Sequence, residues 1–283
     1  MTAVLYDPPG PRGRRRILIG SVIGVAALAL IAYLVIAKLA DAGQFRKAFW
    51  EPFTRPGVQR ILWNGLKATL KAAGLSLVLA LLLGVTLAAL RLSKRRIIRT
   101  AAGTFVEVFR GLPLLLLVFF AFLGLPRVGI EIGPFGALVI ALSLYNGAVL
   151  SEIFRAGVNA VPPGQVEAAA SLGLSSSAVF RLIQLPQAVR TMLPSIISQL
   201  VVLMKDTSLG FIVAYEELLR SGRLIYTNIG NVIPTAIVVA SIYIVINLAL
   251  TGAATLLEHR QRRTGRGASP AEMPPVALGI DRV

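Results

Sequence analysis

Two adjacent charged residues, Lys205 and Asp206, lie well inside the apolar stretch Met192–Ala214. A charged side chain costs about 2.5–3.5 kcal/mol at the centre of a membrane helix, so residues of this kind usually serve a function. Ser195 and Gln199 precede Asp206 at helical spacing and predict a polar stripe along one helix face. We expect this stripe, together with Lys205, to line a path for a polar solute.

The residues around this pair extend the candidate path. Thr207, Ser208 and Gly210 follow it, so the helix is expected to loosen there and offer backbone groups to a solute. Asn146, in the preceding apolar stretch, is deep enough either to touch a solute or to bridge two helices. Alternatively, the adjacent Lys and Asp only fix helix packing. Because neighbours in sequence point apart on a helix, each would then need its own partner.

Two further pairs of opposite charge are spaced for ion pairing within a helix. Glu107 and Arg110 are three residues apart, as are Glu152 and Arg155, so each pair shares a helix face. We expect both to be structural ion pairs. Charge costs less near the membrane boundary, where the first pair lies, and the second pair would position the loop that follows it. Pro113 should kink the helix just beyond the first pair.

The composition excludes several other kinds of chemistry. The 283 residues include no cysteine and one histidine, His259, which removes disulfides, thiolate catalysis and histidine–cysteine metal sites. The sequence has no GxxxxGK[ST] loop, so the chain itself is not expected to bind ATP in that way. With 55% hydrophobic and 15% charged residues and a mean hydropathy of +0.75, a water-soluble enzyme is nearly excluded. We expect a non-enzymatic protein with no cofactor of its own.

Long apolar stretches must position these residues. Six are long enough to cross a hydrocarbon core, which takes about 20 helical residues. They are Ile17–Ala37, Leu66–Leu90, Ala101–Gly124, Gly136–Phe154, Met192–Ala214 and Val232–Leu257. Backbone polar groups in lipid must be paired within the segment, and no alternating barrel pattern is visible. The sequence predicts an all-α polytopic membrane helix bundle.

Basic residues cluster on one side of these spans. They occur before the first span, between the second and third, and after the last, in the ranges Arg12–Arg16, Arg91–Arg99 and Arg260–Arg282. The tendency of basic loops to stay inside predicts a multi-pass cell-membrane protein with both termini in the cytoplasm. Anionic membrane lipids as partners explain the net charge of +16, so no nucleic acid is expected.

These features divide the chain into four parts. They are a basic tail at 1–16, an extra N-terminal helix and external linker at 17–60, a main transmembrane domain at 61–257 and a second basic tail at 258–283. An alternative for the first apolar run is a cleaved secretory signal. The run is longer than the usual apolar core of about 7–15 residues, so we expect it to be retained.

The connection at about 156–191 is too long for a tight turn and is not low-complexity sequence. The pair Pro162–Pro163 favours a helix start, Glu167 follows near its positive end, and Gly173 should break the helix. A serine at 175–177 can cap a second short helix before the chain returns to the membrane. On the cytoplasmic side, this helix–turn–helix is expected to be a docking surface.

This connection resembles the EAA loop of the permease subunits of ATP-binding-cassette importers. The matching residues are Glu167, Ala168, Ala169, Gly173, Ile183, Leu185 and Pro186. The stretches 109–113, 161–165, 185–187 and 205–209 resemble the subfamily that imports polar amino acids. The extra first span and residues 4–10 resemble glutamate-type permeases of actinobacteria. The chain departs from many members at Gly147, where they have a tyrosine, and we expect this to remove an aromatic ring from the path.

The resemblance implies a set of partners. Two permease subunits, identical or homologous, form the pore, and a cytoplasmic ATPase dimer binds ATP and Mg²⁺. An extracytoplasmic binding protein delivers the solute: glutamate, glutamine or aspartate, or alternatively a basic amino acid. The residues implied to couple to the ATPase are Gln165, Glu167, Ala168, Ala169 and Gly173. Small residues on one side of this short helix would let it sit closely in a groove of the ATPase.

Two other classes of protein remain open. An ion-gradient-driven transporter or channel would use Lys205, Asp206 and Glu107 as ion sites and would need no ATPase. A membrane scaffold or assembly factor would explain the spans but not the charges within them.

Overall fold

In the computed structural model of the protein, the described part runs from residue 10 to residue 265, without the side chains of 254 and 257–265. The expected basic tails therefore lie mostly outside the described residues, as does the side chain of His259.

The described part is almost entirely helical and contains no β-strand. In chain order its α-helices are α1 Pro11–Asp41, α2 Lys47–Trp50, α3 Pro56–Arg91, α4 Arg96–Gly111, α5 Leu114–Phe119, α6 Pro134–Asn159, α7 Pro163–Ser171, α8 Ser176–Val179, α9 Leu185–Asp206, α10 Leu218–Ile229 and α11 Val232–Gly265. Short 3₁₀-helical or π-helical turns are Glu51–Thr54, Phe120–Gly124, Leu125–Val128, Phe180–Gln184 and Thr207–Phe211. The predicted all-α class is confirmed.

Five helical runs in this part are long and apolar enough to cross a membrane, and a sixth candidate is a broken one. The broken span joins Arg96–Gly111 to Leu114–Val128 with a bend of 99°. This break is sharper than the kink expected at Pro113. Leu112 precedes the proline and is extended, with φ −81° and ψ 135°, because the proline ring disfavours the helical region for the residue before it.

The core lies where α6 packs against its neighbours α3, α4, α5 and α9. The backbones of α3 and α6 approach closely at two glycines. A Cβ on Gly84 would lie 2.8 Å from Leu150 Cβ, and one on Gly147 would lie 2.7 Å from Leu83 Cδ2. No larger residue fits either position unless a neighbouring side chain moves.

Helix α1 stands apart from this core, and none of its residues is buried. It begins at Pro11, so Arg12–Arg16 form its first turns and are not part of a tail. Helix α3 likewise begins at Pro56, ahead of the expected start at Leu66. Both helices exceed the apolar run because polar turns outside the hydrocarbon core can remain helical.

Helix α10 was not predicted, since it is too short and too polar to register as a span. Its buried residues Leu218, Ser221, Gly222 and Ile225 recur at helical spacing and face α3 and α11. Gly230 ends the helix in the left-handed region at φ 76°. The helix closes the end of the bundle opposite α7.

Candidate functional site

The connection between α6 and α9 forms the expected pair of short helices. Pro163 occupies the first turn of α7, and Gly173 ends it in the left-handed region at φ 79°. Nothing lies within 4 Å of a Cβ placed on Gly173, so there is room for a side chain at this position. The requirement for glycine comes from the left-handed backbone conformation. Ser175 caps α8 by accepting a hydrogen bond from the N–H of Ala178 at 3.3 Å.

The outer face of α7 is open in the described structure. Glu167 and Ala168 are exposed, and Leu172 just beyond the helix is 83% exposed. Ala169 is only 4% exposed, which corrects the expectation that both alanines lie on the docking side. Consecutive residues are about 100° apart on a helix, so one alanine faces out while the next packs inward. Glu167 lies beyond the first turn of α7, and the helix dipole has little effect at that distance from the helix start. The expectation that its carboxylate stabilises the positive end of the helix is therefore wrong.

The second short helix does not end before the membrane helix. α8, the π-helical turn Phe180–Gln184 and α9 form one helical run, with Pro186 in the first turn of α9. Proline has no N–H to donate, and the widened turn ahead of it absorbs that missing bond without breaking the run. Gln187, the next residue, donates a 2.6 Å hydrogen bond to Gln165 on α7. The short helix α7 is thereby tied to the long helix α9.

Glu152 lies at the centre of an ion-pair cluster near the same end of the bundle. Its carboxylate contacts Arg155 on its own helix and Arg91 at the end of α3, and it lies 3.7 Å from Arg110 of α4. The spacing predicted the contact with Arg155, but no local pattern indicated Arg91, which is 61 residues away. The cluster fastens α3 and α4 to the end of α6 that leads into α7.

The expected pair of Glu107 and Arg110 does not form in the described part of the chain. Arg110 turns to Glu152, while Glu107 faces a cavity of about 320 Å³ lined also by Arg91, Arg99 and Arg155. The helical spacing was compatible with pairing, but the packing of α4 against α6 brings the Arg110 guanidinium to Glu152 instead.

Asn146 and Gln199 meet between α6 and α9. Gln199 Nε2 donates to Asn146 Oδ1 at 2.6 Å, and Asn146 Nδ2 donates to the carbonyl of Leu142 at 2.9 Å. Asn146 has no exposed surface, so of the two roles expected for it the structure shows helix bridging. Gln199 remains partly exposed beside it.

The residues from 205 to 208 end the helix as expected. α9 stops at Asp206 and a 3₁₀-helical turn follows. Thr207 is fully buried and donates to the carbonyl of Met204 at 2.6 Å, whereas Ser208 donates to that of Lys205 at 2.7 Å. Lys205 is exposed and Asp206 partly so, and neither lies in an ion pair with a described residue. Both charges remain available on the surface of this subunit.

A buried carboxylate that the sequence analysis missed lies next to these residues. Glu217 is fully buried, caps α10 through the N–H groups of Leu219 and Arg220, and accepts a 2.8 Å hydrogen bond from Tyr243. The N–H of Leu218 donates to the Thr69 hydroxyl at 3.1 Å, which ties the helix start to α3. The sequence signal that could have predicted this cap is an acidic residue directly before two leucines, Leu218 and Leu219.

The position of Gly147 corrects one expectation taken from the family resemblance. Its Cα faces Leu83 on α3, so a tyrosine there would enter the α3–α6 contact. The glycine therefore permits close helix packing and does not remove a ring from a path lining.

Among the side chains that the structure describes, no group of three or more His, Cys, Asp or Glu residues could hold a metal ion. The described site offers instead an exposed helix–turn–helix, a charge cluster behind it and two solvent-accessible charges at the far end of α9.

Comparison with known proteins gives the family directly. Residues 80–263 match the family described as "Binding-protein-dependent transport system inner membrane component". The chain is 40% identical over 232 residues to the glutamate transport system permease protein GluD of Corynebacterium glutamicum, covering 81% of this chain and 85% of that protein. It is 38% identical to the probable glutamine ABC transporter permease protein GlnP of Bacillus subtilis, covering 71% of this chain and 93% of that protein. Identity to the arginine transport system permease protein ArtQ of the same organism is 35%, with 70% and 90% covered.

Solved structures agree in fold. A structure titled as an amino acid ABC transporter with histidines superposes with a TM-score of 0.69 at 32% identity, covering 71% of this chain and 94% of that one. The MetNI methionine ABC transporter shares the fold alone, with a TM-score of 0.63 at 18% identity over 73% of this chain and 98% of that one. The chain belongs to the family of binding-protein-dependent transport system inner membrane components, as a non-enzymatic, multi-pass permease subunit of an ABC amino-acid transporter.

Proposed function

We propose that this chain forms half of the pore of an importer for an acidic amino acid, glutamate, and that a partner ATPase drives it. Two such subunits, identical or homologous, form the pore with a cytoplasmic ATPase dimer that binds ATP and Mg²⁺. An extracytoplasmic binding protein delivers the solute. Both termini of the chain lie in the cytoplasm.

One observation carries the proposal: the helix α7 is exposed and at the same time fastened to the membrane helices. Glu167, Ala168 and Leu172 face outward, while Gln165 is bonded to α9. A partner that moves the outer face of α7 therefore also moves α9. This is the arrangement needed to transmit force into a chain that contains no phosphate-binding loop.

The transport cycle follows from this connection. Closure of the ATP-bound ATPase dimer brings the two α7 helices of the pore together, and α9 of each subunit moves with them. The pore then opens toward the outside, and hydrolysis returns it to the inward-open arrangement. Asp206, which is partly exposed, lies at the far end of the moving helix, where a solute would first meet the pore.

Glutamate as the solute is supported by the relatives. The relative with 40% identity is named for glutamate transport, and it is matched over 81% of this chain, including part of the region before the shared domain. The relatives named for glutamine and arginine make those amino acids the comparison solutes of the test.

The test uses the full complex of permease, ATPase and binding protein reconstituted in vesicles. Ala168→Trp adds bulk to the exposed face of α7 without straining the backbone and should lower both ATPase co-purification and glutamate uptake. Ala48→Trp, an equal change at an exposed position of α2 near the opposite end, is the control and should leave both unchanged. Unaltered uptake and ATPase binding in the Ala168→Trp complex would count against docking through α7. Uptake of arginine in place of glutamate would overturn the solute assignment alone.

A further inference from the structure

A cavity of about 450 Å³ lies between α9, α10 and α11, at the end of the bundle opposite α7. Its walls are largely apolar and include Leu219, Val232, Val239, Ala240 and Ile244. The apolar wall continues beyond the cavity, because Ala240, Ile244 and Leu248 recur every four residues along α11 and so share a face. Ile244 and Leu248 are 57% and 65% exposed. The cavity thus opens into an apolar track along α11.

Two cations, Lys205 and Arg223, lie at this cavity. Among the described side chains, no carboxylate oxygen lies within 4.0 Å of a side-chain nitrogen of Lys205 or Arg223. Arg223 stacks on the ring of Phe211, with 5.3 Å between the guanidinium carbon and the ring centroid, which orients its charge without neutralising it.

Two other polar side chains at the cavity already have hydrogen-bond partners in the protein. The Tyr243 hydroxyl donates to Glu217, and the Thr235 hydroxyl donates to Asn231 at 3.0 Å. The lining residues include no carboxylate. A ligand of this cavity therefore meets two cationic side chains and a largely apolar wall.

We propose that this cavity binds an anionic phospholipid, with the phosphate of the headgroup between Lys205 and Arg223 and an acyl chain along Ala240, Ile244 and Leu248. Long basic side chains hold their charge at the level of lipid headgroups while their stems cover apolar surface. Each such cation attracts an anionic lipid by an amount equivalent to about fivefold in affinity. A free amino acid fits the cavity less well. Its ammonium group would find no carboxylate among the lining residues, and it has no long apolar chain to cover the apolar track.

Such a lipid would hold together the three helices that meet at the end of the bundle. It contacts α9 through Lys205, α10 through Arg223 and α11 through the apolar track. The proposal assigns the cavity to the membrane and leaves the solute path to the other faces of the subunit.

The test counts bound lipid on the purified, delipidated full-length chain by native mass spectrometry. Dioleoylphosphatidylglycerol is titrated against dioleoylphosphatidylcholine, which has the same acyl chains and no net charge. We expect the anionic lipid to bind more tightly. Lys205→Gln and Arg223→Gln should each weaken its binding about fivefold, and about 25-fold together. Arg127→Gln removes another exposed cation and is the matched control, with no expected change.

Further variants and competitors distinguish a bound lipid from other possible ligands of the cavity. Ala240→Trp fills the apolar track and should weaken both lipids, whereas glycerol 3-phosphate, a headgroup without chains, should not compete at equal concentration. Lys205→Arg keeps the charge and should keep the affinity, which distinguishes lost binding from misfolding. Equal affinity for the two lipids, displacement of the lipid by glutamate, or loss of the lipid on dimerisation of the chain would each overturn the proposal.

Discussion

Gln187 Nε2 donates a hydrogen bond of 2.6 Å to Gln165 Oε1. The bond joins α7, the short helix with an exposed face, to the first turn of α9. Asp206, at the other end of α9, is 19 residues further on, or about 28 Å along the helix axis. A displacement of α7 therefore reaches the charged end of α9 through a direct polar contact as well as through the connecting turn.

Removing this contact should uncouple the two helices in part. Gln187→Ala in the reconstituted complex is expected to lower glutamate uptake per ATP hydrolysed by about fivefold, the equivalent of one hydrogen bond. The ATPase should still co-purify, since the outer face of α7 is unchanged. Thr191→Ala, one turn further along α9 and bonded only to the carbonyl of Gln187, serves as the control. Equal coupling ratios in the two variants would contradict a role for the bond.

The charge cluster at Glu152 predicts a ranking of stabilities. Glu152→Gln leaves three arginines around a neutral amide and should lower the free energy of unfolding by about 1.5–3 kcal/mol. Arg110→Gln should cost about 1 kcal/mol or less, because Arg110 is 44% exposed and 3.7 Å from the carboxylate. Denaturant titration of the purified chain in mild detergent measures both. An equal loss in the two variants would show that Glu152 is not the centre of the cluster.

The close approach of α3 and α6 predicts a clash at Gly147. Gly147→Tyr should destabilise the protein by about 3 kcal/mol, since even a Cβ would lie 2.7 Å from Leu83. Val149→Tyr places the same ring at a partly exposed position two residues on and should be tolerated. The fraction of monodisperse protein after heating compares them. A stable Gly147→Tyr variant with an altered solute preference would contradict this prediction and would indicate that residue 147 lines the solute path.

Glu217 predicts a dependence of stability on pH. Burial raises the pKa of this carboxyl above its ordinary range, with the hydrogen bonds from Leu219, Tyr243 and Arg220 opposing the shift. The folded chain therefore binds this proton more tightly than the unfolded chain, so the group adds stability as pH falls through the raised pKa. That contribution is lost as pH rises through the same value. Melting temperatures from about pH 8 to about pH 5 should rise more for the wild type than for Glu217→Gln. Parallel curves for the two proteins would contradict the assignment.

Local patterns were sufficient for much of this fold. The apolar runs predicted the spans, and proline and glycine placed both ends of α7 at Pro163 and Gly173. The contact of Glu152 with Arg155 followed from helical spacing. Each of these features depends on residues close together in sequence, so each can be predicted without knowing the tertiary structure.

The errors arose where residues distant in sequence meet. Arg110 was assigned to Glu107 because only that partner was local, whereas the fold brings up Glu152. Helix α10 and the buried Glu217 escaped notice because their stability comes from α3 and α11, and the polar sequence of a short helix does not reveal such packing.

The sequence by itself determined the class of the protein, its spans and the family motif around Glu167, because hydrophobicity and backbone preference act over a few helical turns. Only the tertiary structure decided which alanine of that motif faces outward, why Gly147 carries no side chain, and that Lys205 and Arg223 meet at one cavity. These features depend on which helix faces are in contact, and that is set by packing between segments far apart along the chain.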